Sequence, residues 1–426
     1  LHPRRAEDDV AVSEPPVTAS ADELVAATDP AAARRTLTDV VVRTPTIACD
    51  DLSEAVGARV FLKAECLQLT GSFKLRGALS KIAALGERAA GGLVTASAGN
   101  HGRALAQAAR VKGVGCEVFM PRDAAVSKVA AVERLGARVN LAGASVDEAL
   151  ALAAERAEQG GGALVHPFDD LDVIAGQGTI GLELLEDVPD LSRVVVPVGG
   201  GGLASGIGIA LRRAAADVEL IGVQASACAP FAQLLEGGGS HADLEASSRT
   251  TIADGIAVKH PGRLTLPLLR ALLTGITTVS DDEIADAMVF LAERAKLVAE
   301  GAGAVAVAAL LSGRIPPAAG TTVAIVSGGN VDAGLLAELL RRHETEEGRR
   351  VRLFTRVPDR PGGLAEMLNL VAAARANLVS LEHVREAVAL SVRETGVELT
   401  LETRGPGHTD EVLAVLAAAG YDVKLE

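Results

Sequence analysis

A lysine serves as nucleophile or base only after losing its proton, and one stretch of this chain offers a setting for that. In Thr70-Gly71-Ser72-Phe73-Lys74-Leu75-Arg76-Gly77-Ala78, Lys74 follows a largely apolar run, Ala58 to Ala64, that reads as a strand. It opens a helical pattern from Leu75 to Leu85. The first turn of a helix is its positive end, so an ammonium there is disfavoured and the amine's pKa falls. A solvated lysine after a Gly-Ser turn fits the same residues, and on this stretch alone that plainer reading is the stronger.

Three further turns carry chemistry of their own. Val94-Thr95-Ala96 leads into Ser97-Ala98-Gly99-Asn100-His101-Gly102, where small residues free backbone N–H groups for an anion such as a carboxylate. Asn100 adds a side chain that both donates and accepts, although a tight turn with a left-handed Asn accounts for the stretch equally well. The apolar strand Val194 to Val198 runs into Gly199-Gly200-Gly201-Gly202-Leu203, whose glycines remove every Cβ that would keep a phosphate away. A flexible linker would not sit between an apolar strand and an apolar helix. Thr321 to Val326 ends in Ser327-Gly328-Gly329-Asn330, where the hydroxyl suits either a ring nitrogen of a flat cofactor or a helix cap. A dinucleotide fold competes, since Gly199-x-Gly201-x-x-Ala204 fits its loose fingerprint. That fold needs an acid at the end of the next strand to hold ribose hydroxyls, and Ile221-Gly222-Val223 ends instead at Gln224.

The elements that must position these turns alternate regularly. Gly92 to Ala96, Cys116 to Met120, Val194 to Val198, Glu219 to Val223 and Thr321 to Val326 read as short, mostly apolar strands separated by helical patterns. Such strands belong to parallel sheets covered on both faces, with ligands at their carboxyl ends. Gly237 to Ala257 has no clear period and reads mostly as loop. Residues 344–350 are charged and read as a linker. Beyond it the order is strand Arg352 to Val357, helix Gly363 to Ala374, strands Leu378 to Glu386 and Val397 to Thr403, helix Asp410 to Ala419 and strand Asp422 to Leu425. That is the ferredoxin-like β-α-β-β-α-β unit. The expected layout is therefore a disordered arm (1–20), a large α/β domain (21–343, with a smaller subdomain at about 90–167), the linker and an α+β domain (351–426).

Composition narrows the class. A formal net charge of −14 over 426 residues, with no basic run, argues against a nucleic-acid partner. The four cysteines, Cys49, Cys66, Cys116 and Cys228, form no C-x-x-C pair, and the eight histidines no H-E-x-x-H, so no metal site is expected. Isolated cysteines fit a reducing, cytoplasmic setting. No apolar run reaches membrane-spanning length, and the N-terminus lacks the apolar centre of a signal peptide.

Together the four turns, in their order and spacing from about Asp22 to His343, resemble the fold-type II pyridoxal-phosphate enzymes, and within them the threonine and serine dehydratases. The resemblance implies a tryptophan synthase β-like α/β fold with two parallel-sheet subdomains. It implies pyridoxal 5′-phosphate as cofactor, Lys74 as its Schiff-base lysine and as catalytic base, and Phe73 against the ring. Asn100 is then expected at the ring hydroxyl, Gly199, Gly200, Gly201, Gly202 and Leu203 at the phosphate, Ser327 at the pyridine nitrogen and Gly255 over the ring's other face. Ser97, Ala98, Gly99, Asn100 and His101 are expected to bind the substrate carboxylate. The implied reaction is β-elimination on L-threonine, extending to L-serine, giving 2-oxobutanoate and ammonia. Serine racemases resemble the chain but carry Ser-Ser-Gly-Asn, and Ala98 cannot move a proton on the second face. Relatives with a divalent-cation site carry a glutamate where Gln224 stands, so the resemblance argues against a divalent cation and leaves room for a monovalent one. The C-terminal unit resembles ACT regulatory domains, with Gly362, Gly363, Asn377 and Leu378 at positions that hold an amino-acid effector between paired copies. This implies isoleucine or valine as effector, a homodimer or homotetramer, and a place in isoleucine synthesis or threonine breakdown.

Overall fold

A computed structural model of the chain describes residues 19–37, 39–214, 217–237, 250–384 and 393–425. The arm expected over 1–20 lies outside them except for its last two residues, and Ser20 caps the helix Ala21–Ala27. Most of the expected loop between Gly237 and Ala257 also lies outside the described residues. The chain forms two compact units, Leu1–Val331 and Asp332–Glu426.

Two sheets build the first unit. The larger has the order Thr46–Ala48, Val60–Ala64, Thr321–Val326, Leu191–Pro197, Glu219–Ala225, Gly275–Val279, parallel throughout except for its first pair. The smaller has the order Arg138–Leu141, Cys116–Met120, Leu93–Ala96, Ala163–Leu164, all parallel. Every residue of Thr321–Val326 and of Leu93–Ala96 is buried, as an unbroken apolar run covered on both faces requires. Parallel strands send all their carboxyl ends to one edge of a sheet. Within each sheet, the chemically interesting turns therefore lie at the same edge.

Three helices of this unit approach backbone to backbone. Helix Leu171–Asp187 crosses both Lys74–Leu85 and Gly202–Arg213, and a Cβ on Gly206 would fall 2.4 Å from the Ile174 carbonyl oxygen. Gly206→Ala is therefore expected to lower stability by about 1–3 kcal/mol through overpacking. An unchanged urea midpoint would show that the two helices slide apart freely.

Beneath the same helices lies a buried ion cluster. Arg76 gives two hydrogen bonds to Glu65 (2.9 and 2.8 Å), two to Glu183 (2.6 and 3.0 Å) and one to Thr179 (3.0 Å). Lys63 adds its ammonium to Glu183 at 2.6 Å and donates to the Thr44 carbonyl at 2.7 Å. Two cations thus face Glu65 and Glu183, with Asp187 3.6 Å from Lys63, and all five guanidinium N–H groups of Arg76 are used. The cluster ties the strand before Lys74 to the helix that carries it.

The second unit is an antiparallel sheet, Asn377–Val384, Glu394–Glu402, Arg350–Pro358, Lys424–Leu425, with helices Gly363–Ala373 and Pro406–Ala418. Leu353, Val357, Val397, Leu399 and Leu401 alternate onto the face that packs Met367, Val371, Val412 and Leu416. The spatial order (fourth strand, first, third, second) is ferredoxin-like. Residues 344–350 are not a separate linker. Helix Ala333–Glu346 continues through Glu346, which pairs with Arg342 one turn earlier, and the next strand begins at Arg350.

Candidate active site

Lys74 is the first residue of its helix, reached through Gly71 in a left-handed conformation (φ +74°). The Phe73 N–H donates to the Ser327 carbonyl at 3.1 Å, and Gly329 N–H to the Gly71 carbonyl at 2.8 Å. These bonds clamp the lysine's turn to the end of the neighbouring strand. The lysine's Nζ donates to the Pro167 carbonyl at 2.9 Å and lies 5.1 Å from the centre of the Phe73 ring. Burial draws the amine down from 10.5 to about 8, against the opposing pull of the Glu300 carboxylate.

Phe73, Lys74, Asn100, Gly199, Gly200, Gly201, Gly202, Leu203, Gly255 and Ser327 all line one pocket. Phe168, Pro197, Ile256, Glu300 and Ala302 line it too. At its floor the strand Leu191–Pro197 passes through the glycines into helix Gly202–Arg213, with Gly201 left-handed (φ +91°). That helix has no acid in its first turn, so its free N–H groups present an unopposed positive end. The buried Ser205 hydroxyl on the same turn has no partner, nor does that of Ser72 beside Lys74. The Phe168 ring packs on Gly200, where a Cβ would lie 2.3 Å from it. Ser327 donates to the Ala302 carbonyl at 3.3 Å.

The turn after Leu93–Ala96 places its residues differently. Asn100 reaches the pocket, whereas Ser97, Ala98, Gly99 and His101 are not among its lining residues. The Ser97 hydroxyl accepts from the Gly99 N–H at 3.1 Å, and Gly99 precedes helix Asn100–Lys112. Buried His101 sits with Nε2 3.2 Å from the Val165 carbonyl, and burial together with the Lys74 charge lowers it to about 3, so it is neutral. Its Nδ1 has no partner.

Five lining residues, Phe168, Pro197, Ile256, Glu300 and Ala302, escaped the sequence reading, as did Pro167, whose carbonyl accepts from Lys74. Glu300 stands between Val298-Ala299 and Gly301-Ala302-Gly303-Ala304, and an acid embedded in so apolar a run was the available signal. Pro167 and Phe168 follow the short strand Ala163–Leu164, at the carboxyl end that the parallel-sheet rule already marks. Gln224 is buried, with its amide spent on the Val198 carbonyl (3.1 Å) and the Ala232 N–H (3.0 Å). Among the described residues no group of three or more His, Cys, Asp or Glu side chains could hold a metal ion.

In the second unit, Gly362 (φ +92°) and Gly363 follow the strand Arg350–Pro358, while Asn377 and Leu378 open the strand Asn377–Val384. Asn377 and Arg350 both pair with Glu402, so the two pairs of residues lie at opposite ends of the sheet. A cavity of about 450 Å³ in this unit is lined by other side chains, among them Arg341, Arg350, Arg352, Glu382 and Glu398.

A buried, partly neutralised lysine above a glycine-bound helix terminus defines a class. The chain belongs to the pyridoxal-phosphate-dependent enzyme family, which it matches over residues 37–328. It is 44% identical over 394 residues to the L-threonine ammonia-lyase of Thermotoga maritima, covering 92% of this chain and 97% of that protein. Among solved structures it is similar to maize serine racemase (TM-score 0.70, 34% identity, 75% of this chain and 99% of that one). It is likewise similar to the processed form of threonine deaminase isoform 2 from Solanum lycopersicum (TM-score 0.66, 32% identity, 79% and 93%). The family implies pyridoxal phosphate, and the residues present fit it: a glycine cradle at a helix N-terminus for the phosphate, and a desolvated amine for covalent attachment.

Proposed function

We propose that this chain is an L-threonine ammonia-lyase, converting L-threonine to 2-oxobutanoate and ammonia and acting on L-serine in the same way. The observation that carries the reading is the single pocket in which the Lys74 amine, held near pKa 8, meets the glycine cradle, Asn100 and Ser327. When bound there, the cofactor supplies an electron sink for the charge left at the substrate's α-carbon. Lys74, neutral above about pH 8, takes the α-proton. The N–H groups at the start of helix Asn100–Lys112, whose first residue reaches the pocket, hold the carboxylate. The β-hydroxyl leaves as water, and one water re-enters as ammonia departs, so the atoms balance. Ala98 has no exchangeable proton, which supports elimination over racemisation.

The second unit, in this reading, is an ACT-like sensor for isoleucine or valine in a homodimer or homotetramer serving isoleucine synthesis or threonine breakdown. Gly362 and Asn377 at opposite ends of one sheet suit a site completed by a second copy. Four free cysteines suit a reducing compartment such as the cytoplasm. The test is steady-state turnover of L-threonine, L-serine and a bulkier β-hydroxy amino acid, each with and without isoleucine. Threonine is expected to lead serine by about 10- to 200-fold in kcat/KM, the worth of one methyl group. No 2-oxobutanoate from the cofactor-loaded protein would sink the proposal.

A further inference from the structure

Glu300 is an acid in an apolar place. It precedes helix Gly301–Leu311, of which all but the last residue are buried, and it is itself 7% exposed. The positive end of that helix favours its charge, yet its side chain makes no capping bond. It turns instead to Asn100, whose Nδ2 donates to Oε1 at 2.5 Å. Gly328 leaves the room for this, because a Cβ there would lie 2.2 Å from the carboxyl oxygen.

The contact is one link in a chain. Asn330 Nδ2 donates both to Asn100 Oδ1 (2.6 Å) and to the Thr70 carbonyl (2.9 Å). With both of its N–H bonds spent, Asn330 presents only donors to Asn100, so the Asn100 amide turns its oxygen there and its NH₂ group to Glu300. Four segments that are distant in sequence are thereby fixed around the pocket. Glu300 and Lys74 line that pocket together, while Lys74 gives its hydrogen bond to Pro167.

The charges around Glu300 come from several elements. Lys74 approaches from its own helix and Arg103 from helix Asn100–Lys112. Lys128 on helix Val126–Glu133 and Asp254 in the turn Asp254–Ile256 pair with each other at 2.6 Å. The Cys66 thiol lies on the turn Glu65–Leu67. Asp254 and Lys128 act on the Glu300 carboxyl in opposite directions, while Glu300 in turn favours the charged forms of Lys74 and Arg103.

We propose that Glu300 is a positioning residue for both Asn100 and Lys74, its carboxyl orienting the amide and its negative charge setting how readily the lysine gives up its proton. The proposal rests on Lys74 being the base. Burial pushes the Glu300 carboxyl up to about 7, opposed by the Asn100 bond, so the carboxyl has lost its proton by the pH at which the Lys74 amine, near 8, gives up its own.

The test uses the full-length chain in two forms. In cofactor-free protein, ¹³C-methylated lysines are titrated by NMR, with Lys74 assigned by its absence in Lys74→Ala. Glu300→Gln keeps an acceptor for Asn100 but removes the charge, so the Lys74 midpoint is expected to fall by roughly one unit. In the loaded enzyme the acid limb of kcat/KM moves to lower pH by a similar amount while KM stays within about twofold. Glu300→Ala loses the acceptor as well and raises KM, a defect that Glu300→Gln rescues. An unchanged Lys74 midpoint in Glu300→Gln overturns the electrostatic role, and equal KM in the two variants overturns the orienting one. Full activity in Lys74→Ala would instead defeat the proposed function and leave the titration result standing.

Discussion

Lys74→Ala is expected to lower kcat/KM for threonine by at least about 10⁴-fold, because under the proposed function one substitution removes both the base and the point of cofactor attachment. The measurement is 2-oxobutanoate release by the purified variant supplied with excess cofactor. More than a few per cent of residual activity would place the base elsewhere. The same residue makes a second, opposite forecast for stability. In cofactor-free protein a lysine held at about 8 rather than 10.5 costs the fold about 3 kcal/mol at neutral pH. The sign follows from proton binding: between about pH 8 and 10.4 the unfolded chain holds more protons at this site, so stability rises with pH across that window. Lys74→Met, which fills similar volume without charge, is therefore expected to melt higher than the native chain at pH 7 and no higher at pH 10.5. A variant equally stabilised at both pH values would contradict a buried amine.

Arg76→Met is expected to destabilise by about 3–5 kcal/mol, the usual result of leaving one side of a buried ion pair behind. Arg76 is 1% exposed and Glu65 is fully buried, so Glu65 would lose its cation with no access to water. Glu183 would keep Lys63. Urea midpoints at pH 7 and pH 5 make the test specific, since protonating the orphaned carboxylate at lower pH should return part of the loss. A deficit independent of pH would assign Arg76 a packing role only. Activity should fall along with stability, because the cluster braces the helix whose first residue is Lys74.

Much of the site was legible locally. Each turn announces itself by small residues between an apolar strand and a helix, and parallel pairing brings such turns to one edge of each sheet. That is why ten residues from five separate stretches, Phe73 and Lys74 through Ser327, meet in one pocket. Ser97, Ala98, Gly99 and His101 share the turn with Asn100 but not its place in the pocket, since only the first residue of the helix points that far. The supposed linker was misleading for a related reason. Charged residues mark a surface, and a helix can run along a surface as readily as a loop can.

Glu300 was beyond any local pattern. Its partner Asn100 is 200 residues away in sequence, and the Asn330 links to Asn100 and Thr70 span 230 and 260. The sequence by itself determined that Lys74 opens a helix at the end of a strand, and that glycines, an asparagine and a serine wait at the ends of others. Whether Lys74 was a solvated surface lysine or a buried amine depended on its surroundings. Only the tertiary structure decided that, by removing the amine from water and setting Glu300 across the same pocket, because desolvation and long-range charge depend on neighbours that no stretch of chain carries with it.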